Sequence, residues 1–197
     1  RFGDIEPLSS GSIRDDSRVL MQRDVRDRVR ALAPFLALDG DPYPVVLDGR
    51  IVYVLDAYTT TDRYPNAQRV SIDDDLPPDS GLRCREFNYA RNSVKATVDA
   101  YDGTVDLYVT DDSDPLITAY QRAFPDLFTP ISDADPALVD HFRYPEDLFR
   151  VQTVMWGRYH VDDPGAFIQG DNRWEVAAES AAGDEGGDEP AGSTPDT

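Results

Sequence analysis

Ser93-Val94-Lys95-Ala96-Thr97-Val98-Asp99-Ala100-Tyr101-Asp102-Gly103-Thr104-Val105-Asp106-Leu107-Tyr108-Val109-Thr110 alternates apolar and polar side chains on either side of an Asp-Gly pair. Successive side chains of a strand point to opposite faces, so a period of two reads as two β-strands. Asp-Gly suits a two-residue type I′ turn, which needs positive φ at both central residues. With the turn at Asp102-Gly103, Ala100 faces Val105, Val98 faces Leu107 and Ala96 faces Val109, which puts the apolar set on one side. On the other side Thr97 faces Tyr108 and Asp99 faces Asp106. Like charges directly opposite each other destabilise a sheet. The Asp99–Asp106 pair therefore requires an arginine, a bound cation or open solvent.

A second hairpin is expected upstream, where Asp48-Gly49 separates Pro44–Leu47 from Arg50–Leu55. Both runs are apolar on both faces, so both are expected in the centre of the sheet. Further upstream, Ser17–Arg23 reads as a short strand. Asp24 caps a helix from Val25, with Asp27 at the capping-box position and Pro34 as its stop. Val25, Val29 and Leu32 share the apolar face of that helix. Residues 59–82, rich in Thr, Asp and Pro, form a long loop.

Downstream of the sheet the pattern becomes helical. Asp114-Pro115 and Asp135-Pro136 each place a cap before an N1 proline, opening helices over Leu116–Phe124 and Ala137–Phe142. Pro145 opens the longest helix, to about Tyr159, with Leu148, Val151, Met155 and Tyr159 on one stripe. Asp163-Pro164 starts a last short turn of helix, and Trp174 packs back to close the fold. From Ala177 the chain lacks large apolar residues and cannot offset the entropy of folding. The expected fold is α+β, an antiparallel sheet of two Asp-Gly hairpins with helices clustered in the C-terminal half. It forms one domain over 1–176, followed by a flexible acidic tail over 177–197.

Nineteen Lys and Arg against 38 Asp and Glu give a net charge of −19. That field repels phosphate backbones and anionic lipids, which excludes nucleic acid as a partner. No run approaches the roughly 18 apolar residues needed to span a bilayer, so this stretch is not expected to insert in a membrane. Cys84 is the single cysteine, which excludes an internal disulfide or a cysteine-based zinc cluster. His141 and His160 are not spaced as a metal pair.

Oxygen ligands for calcium are offered by Asp99 and Asp106 and by Asp111 and Asp112 in Asp111-Asp112-Ser113-Asp114, with Asp73-Asp74-Asp75 as a further cluster. None follows a calcium-loop pattern, and Asp114 has a role as a helix cap. Calcium is the one cofactor that the residues suggest; otherwise none is expected. Nucleotide-binding glycine loops, the nucleophile elbow and the HExxH motif are absent, so no catalytic residues are assigned. The segments Tyr58–Pro65 and Asn88–Ser93 are dense in hydrogen-bonding groups around aromatic rings. They suit glycan or peptide recognition, or alternatively they pin loops together through Arg and Tyr contacts.

Several phrases resemble Uncharacterised Protein Family 0182. They are Asp15–Leu20, Ala33–Leu36, Asp39–Pro44, Asp48–Val52, Ala57–Pro65, Asn92–Gly103 and Arg143–Phe149. The resemblance runs from about Arg1 to Val176, with Met21-Gln22 in place of more hydrophobic residues. It implies large bacterial proteins with several N-terminal transmembrane helices and a big region outside the cytoplasmic membrane. This chain would be a slice of that region, on the extracytoplasmic face of the cell membrane. The resemblance implies no activity. The expected role is a binding or scaffolding module rather than an enzyme, with other segments of the same protein, envelope proteins or glycans as partners. The alternatives are a glycan-acting envelope enzyme that uses paired carboxylates, or a domain that responds to divalent cations.

Overall fold

The structure is a computed structural model that describes residues 22–174. It divides into two compact units, Arg1–Val154 and Met155–Thr197. The tail from 177 lies outside the described residues. So do residues 17–21 of the expected first strand, and Gln22 and Arg23 are in no strand.

The chain is α+β. Helix α1 (Val25–Leu32) is followed by strands β1 (Ala37–Leu38), β2 (Tyr43–Leu47), β3 (Arg50–Thr61), β4 (Tyr89–Asp99) and β5 (Val105–Val109). Then come α2 (Pro115–Ala123), β6 (Thr129–Pro130), α3 (Pro136–Val139), α4 (Glu146–Tyr159) and α5 (Pro164–Gln169). The strands form one sheet in the order β1-β3-β4-β5-β6, with β2 also on β3. The pairings are antiparallel except β5 with β6, which is parallel, so the sheet is mixed.

Leu47 pairs with Arg50, and Asp48 and Gly49 between them have φ of 49° and 76°. The β2 strand lies at the rim rather than in the centre, since its ladder runs to β3 alone. Pro44 has no N–H to give a second neighbour, and Val46 is 67% exposed. The connection between β4 and β5 also differs from expectation. Val98 pairs with Val105, Ala96 with Leu107 and Val94 with Val109, a slip of two residues. The turn is longer than Asp102-Gly103, closing through Gly103 N–H to Asp99 O (2.9 Å) and Asp99 N–H to Thr104 O (2.9 Å). Asp99 therefore does not face Asp106; its partner is Val52 on β3, and Asp106 pairs with Thr97.

A slip of two leaves every side chain on its face. Leu55, Ala57, Val94, Ala96, Val98, Leu107 and Val109 form one core with Val29, Ala33 and Leu36 from α1 and the segment after it, Ile117 of α2, and Phe128. Asp24 caps α1 by accepting the Arg26 N–H (2.8 Å) and Asp27 N–H (3.2 Å). Leu32, expected on the buried face, is exposed, and Ala33 is buried instead. The opposite face of the sheet holds Tyr43, Val45 and Val54, covered by Leu138 of α3 and by Phe142.

In the second unit, Asp163 caps α5 through the Ala166 N–H (2.8 Å), and Gly170 ends it with φ +76°. Arg158 lies over the Tyr159 and Phe167 rings. The Trp174 N–H donates to Gly157 O (3.2 Å) and its ring sits 3.9 Å from that of His160, with the side chain still 60% exposed.

Gly81 holds the long loop against β1. Its N–H donates to Leu38 O (2.7 Å), and a Cβ there would lie 2.4 Å from Leu38 N. Gly81→Ala should therefore lower stability by about 1–3 kcal/mol, the usual cost of forced overpacking. Urea unfolding of the two proteins checks this, and equal midpoints would show that the loop yields freely.

Candidate functional site

Charged side chains gather inside the first unit, on the sheet face that α3 and the start of α4 cover. Asp56 and Lys95 are directly paired across β3 and β4 and form an ion pair with side chains 4% and 6% exposed. Lys95 Nζ also donates to Arg143 O (2.6 Å), which ties the segment before α4 to the sheet. Asp39, just after β1, accepts from the Tyr58 hydroxyl, from Asp147 N–H (3.1 Å) and from Asp41 N–H (2.9 Å). Asp147, in the first turn of α4, is fully buried. Its Oδ2 accepts from Gly40 N–H (2.8 Å), the Ser80 hydroxyl lies beside the carboxyl, and Oδ1 has no well-formed hydrogen bond.

Three carboxylates are thus buried in this region beside one ammonium, which pairs with Asp56 alone. Burial pushes the Asp147 carboxyl above the ordinary range, and the neighbouring Asp39 and Glu146 charges push the same way. Asp56 is raised chiefly by burial, against the pull of Lys95. Burial and the Asp39 charge also raise the Tyr58 hydroxyl far above its usual value, so it stays a donor.

A second network lies where β4 bulges. Ala57 pairs with Val94 but Thr59 with Arg91, so Asn92 and Ser93 together oppose Tyr58. The Thr59 and Ser93 hydroxyls both donate to Asp114 Oδ2 (2.5 Å each). Asp114 Oδ1 accepts from the Tyr89 hydroxyl (2.7 Å) and from Leu116 N–H (3.0 Å), the α2 cap. Burial acts to raise the Asp114 carboxyl, but the bonds from Ser93, Thr59, Tyr89 and Leu116 outweigh it and hold it below its usual value. Burial and the bond to Asp114 push Tyr89 up to about 12.

The open surface differs. At the far end of β3, Thr60, Thr61, Asp62, Arg85, Glu86 and Phe87 line a cleft of about 340 Å³. Phe87 is buried, and its backbone is fixed by a bridge to Val70. Asp62 is held by Arg69 (3.3 Å) and Arg63 (3.8 Å). Beside the cleft, the Tyr64 and Tyr89 rings stack at 5.3 Å, and Asn88 bonds both the N–H and the carbonyl of Tyr64. The Tyr58–Pro65 and Asn88–Ser93 segments are thus neighbours, and their contacts pin the loop between them.

The candidate calcium ligands are dispersed. Asp99 accepts from Tyr101 N–H (2.7 Å) and pairs with Arg50 (2.7 Å). Burial acts to raise its carboxyl, but these partners hold it below the usual range. Asp106 and Asp112 are exposed; Asp111 pairs with Arg91 (3.3 Å). Among the described residues no group of three or more His, Cys, Asp or Glu is placed to hold a metal ion. Among the described residues, no helix is long and apolar enough to cross a membrane. The buried acids escaped the sequence reading because aspartate in a chain of this charge reads as surface; their signal was the lone lysine inside an apolar strand.

Residues 1–192 match Uncharacterised protein family (UPF0182). The chain belongs to this family. It is 50% identical over 185 residues to a UPF0182 protein of Frankia alni, covering 90% of this chain and 18% of that protein. It is 50% identical over 183 residues to one of a Nocardioides species, covering 89% and 18%. A UPF0182 protein of Saccharopolyspora erythraea is 44% identical over 190 residues, covering 94% and 20%. The chain spans about a fifth of the length of these UPF0182 relatives. No solved structure matches it.

Two outcomes test the networks. The unfolded chain releases the Asp147 proton near the ordinary value of 3.8, while the folded protein holds it to higher pH. Wild-type stability therefore falls as pH rises through that interval, by about 1.4 kcal/mol for each pH unit it spans. Asp147→Asn should flatten that fall in a pH series of urea melts, and an unchanged slope would rule out a protonated Asp147. Asp114→Ala should lose the α2 cap and strand the Thr59, Ser93 and Tyr89 hydroxyls, a cost of about 3 kcal/mol or more. A thermal melt within a degree or so of wild type would contradict it.

Proposed function

We propose that this chain is a binding or scaffolding module in the extracytoplasmic part of a multi-pass bacterial membrane protein. Location and topology rest on the family resemblance. The observation that carries the reading is how the charges are used. Interior carboxylates, lysine and hydroxyls are spent on joining strands, helix ends and loop, as in the Asp56–Lys95 and Asp114 networks. Chemically uncommitted groups stand instead at the open cleft beside β3. A rigid frame that presents polar groups on its loops is the usual plan of a recognition domain.

A second reading is favoured by Asp62 and Glu86 lining the same cleft: a glycan-acting enzyme with paired carboxylates. The pairing of Asp62 with Arg63 and Arg69 argues for binding over acid–base work.

Cys84, the chain's only cysteine and exposed, gives a direct test. In the full-length protein with any other cysteines replaced, a membrane-impermeant maleimide should label Cys84 in intact cells. Labelling that appears only after permeabilisation would place the module inside and overturn the location. A photo-crosslinking residue at Tyr64 should give defined adducts with another segment or an envelope partner, and no adduct would overturn scaffolding. Release of sugar reducing ends from envelope polysaccharide, lost in Asp62→Asn and Glu86→Gln, would favour the enzyme instead.

A further inference from the structure

We propose that the cleft beside β3 binds a small zwitterion, an ammonium and a carboxylate on one short skeleton, as in an amino acid or a dipeptide. This rests on reading the chain as a binding module and names what that module would take. The volume of about 340 Å³ lies at the small end of ligand sites and would hold roughly ten water-sized groups. Among the described residues, Arg85 and Glu86 make no ion pair or hydrogen bond, although both line the cleft and most of the other arginines are engaged. An arginine fork matches a carboxylate in a bidentate pair, and a free glutamate accepts from an ammonium. Thr60 adds a hydroxyl, and the buried Phe87 closes the floor with an apolar surface.

The loop that presents these groups is set in advance. Cys84 has φ of 58°, a left-handed conformation unusual for a side chain with a Cβ. It is held there by Asp73, whose carboxylate accepts the Cys84 N–H (2.7 Å). Three residues on, the Val70–Phe87 bridge fixes the chain again through hydrogen bonds of 2.9 and 3.2 Å. Arg85 and Glu86 are therefore presented between two anchored points, which lowers the entropy lost on binding.

Other ligand classes fit less well. A phosphate would meet two carboxylates, Asp62 and Glu86, in the lining of the cleft. A bare cation would leave Arg85 repelling it. A neutral sugar would find the exposed Tyr64 ring beside the cleft to stack on, but it would leave the Arg85 and Glu86 charges unmatched.

The test is calorimetric titration of the purified full-length protein with alanyl-alanine. N-acetyl-alanyl-alanine, alanyl-alanine amide, maltose and inorganic phosphate serve as controls. Saturable binding is expected for the free dipeptide, weakened about tenfold or more by blocking either end. Arg85→Ala should abolish the preference for a free carboxylate, and Glu86→Gln the preference for a free amine. Neither side chain supports the fold, so thermal melts of both variants should match wild type. No saturable binding up to about 10 mM would overturn the proposal, as would equal binding of the blocked peptides or a preference for maltose or phosphate. If the dipeptide fails while Cys84 is labelled from outside and Tyr64 crosslinks, the ligand class falls and the module reading stands.

Discussion

The ion pair between Asp56 and Lys95 is the constraint on which much of the first unit depends. Lys95 is the chain's only lysine, and it lies in the middle of the longest strand pairing, directly opposite its partner. An ammonium in such a place is tolerated only when a carboxylate and a further acceptor meet it. Both are present, because Arg143 O takes a second proton of Nζ. A register shift between β3 and β4 would leave two buried charges unpaired, so the pair discriminates against misalignment as well as holding the strands. Through Arg143 it also fixes where the chain enters α4, which sets Asp147 against Asp39 and Gly40.

The β4 bulge divides the labour of the sheet. On one side of it the two long strands carry the apolar core and the buried ion pair. On the other they carry the Asp114 network and then run out to the cleft. Asp114 is at once the cap of α2 and the acceptor for three hydroxyls from the sheet. Helix and sheet are thus joined by a group that an isolated helix would need anyway. That economy keeps the cleft end of β3 well anchored although its loop is long.

Much of this was legible in the sequence for physical reasons. Asp114-Pro115, Asp135-Pro136 and Asp163-Pro164 each mark a helix start, because an aspartate cap and an N1 proline satisfy what the first turn lacks. The faces of β4 and β5 were legible because side chains alternate strictly. Their register was not: Val98 opposite Val105 and Val98 opposite Leu107 give the same alternation, and only turn geometry separates them. The rim position of β2 was hidden for a related reason, since an apolar run does not say how many neighbours it has. Asp39, Asp56 and Asp147 were the hardest to see. Local sequence does not show that a segment some fifty to a hundred positions away covers a carboxylate and excludes water from it. At the cleft, Thr60–Asp62 and Arg85–Phe87 lie apart in the chain and are brought together by the pairing of β3 with β4 and the Asn88 contacts to Thr61 and Tyr64.

The sheet ends on both sides in short strands that carry proline: β2 with Pro44 beside two-residue β1 on one rim, and two-residue β6 with Pro130 on the other. A long unpaired strand offers a row of backbone groups on which another chain can lay its own strand, the first step towards aggregation. Here that row is broken on one rim by the corner at Gly40-Asp41-Pro42, and on the other it is no longer than five-residue β5, whose last two residues β6 covers. Copies of the protein crowded together have little to zip along, and association with a partner is directed to side chains and loops rather than to the main chain of the sheet.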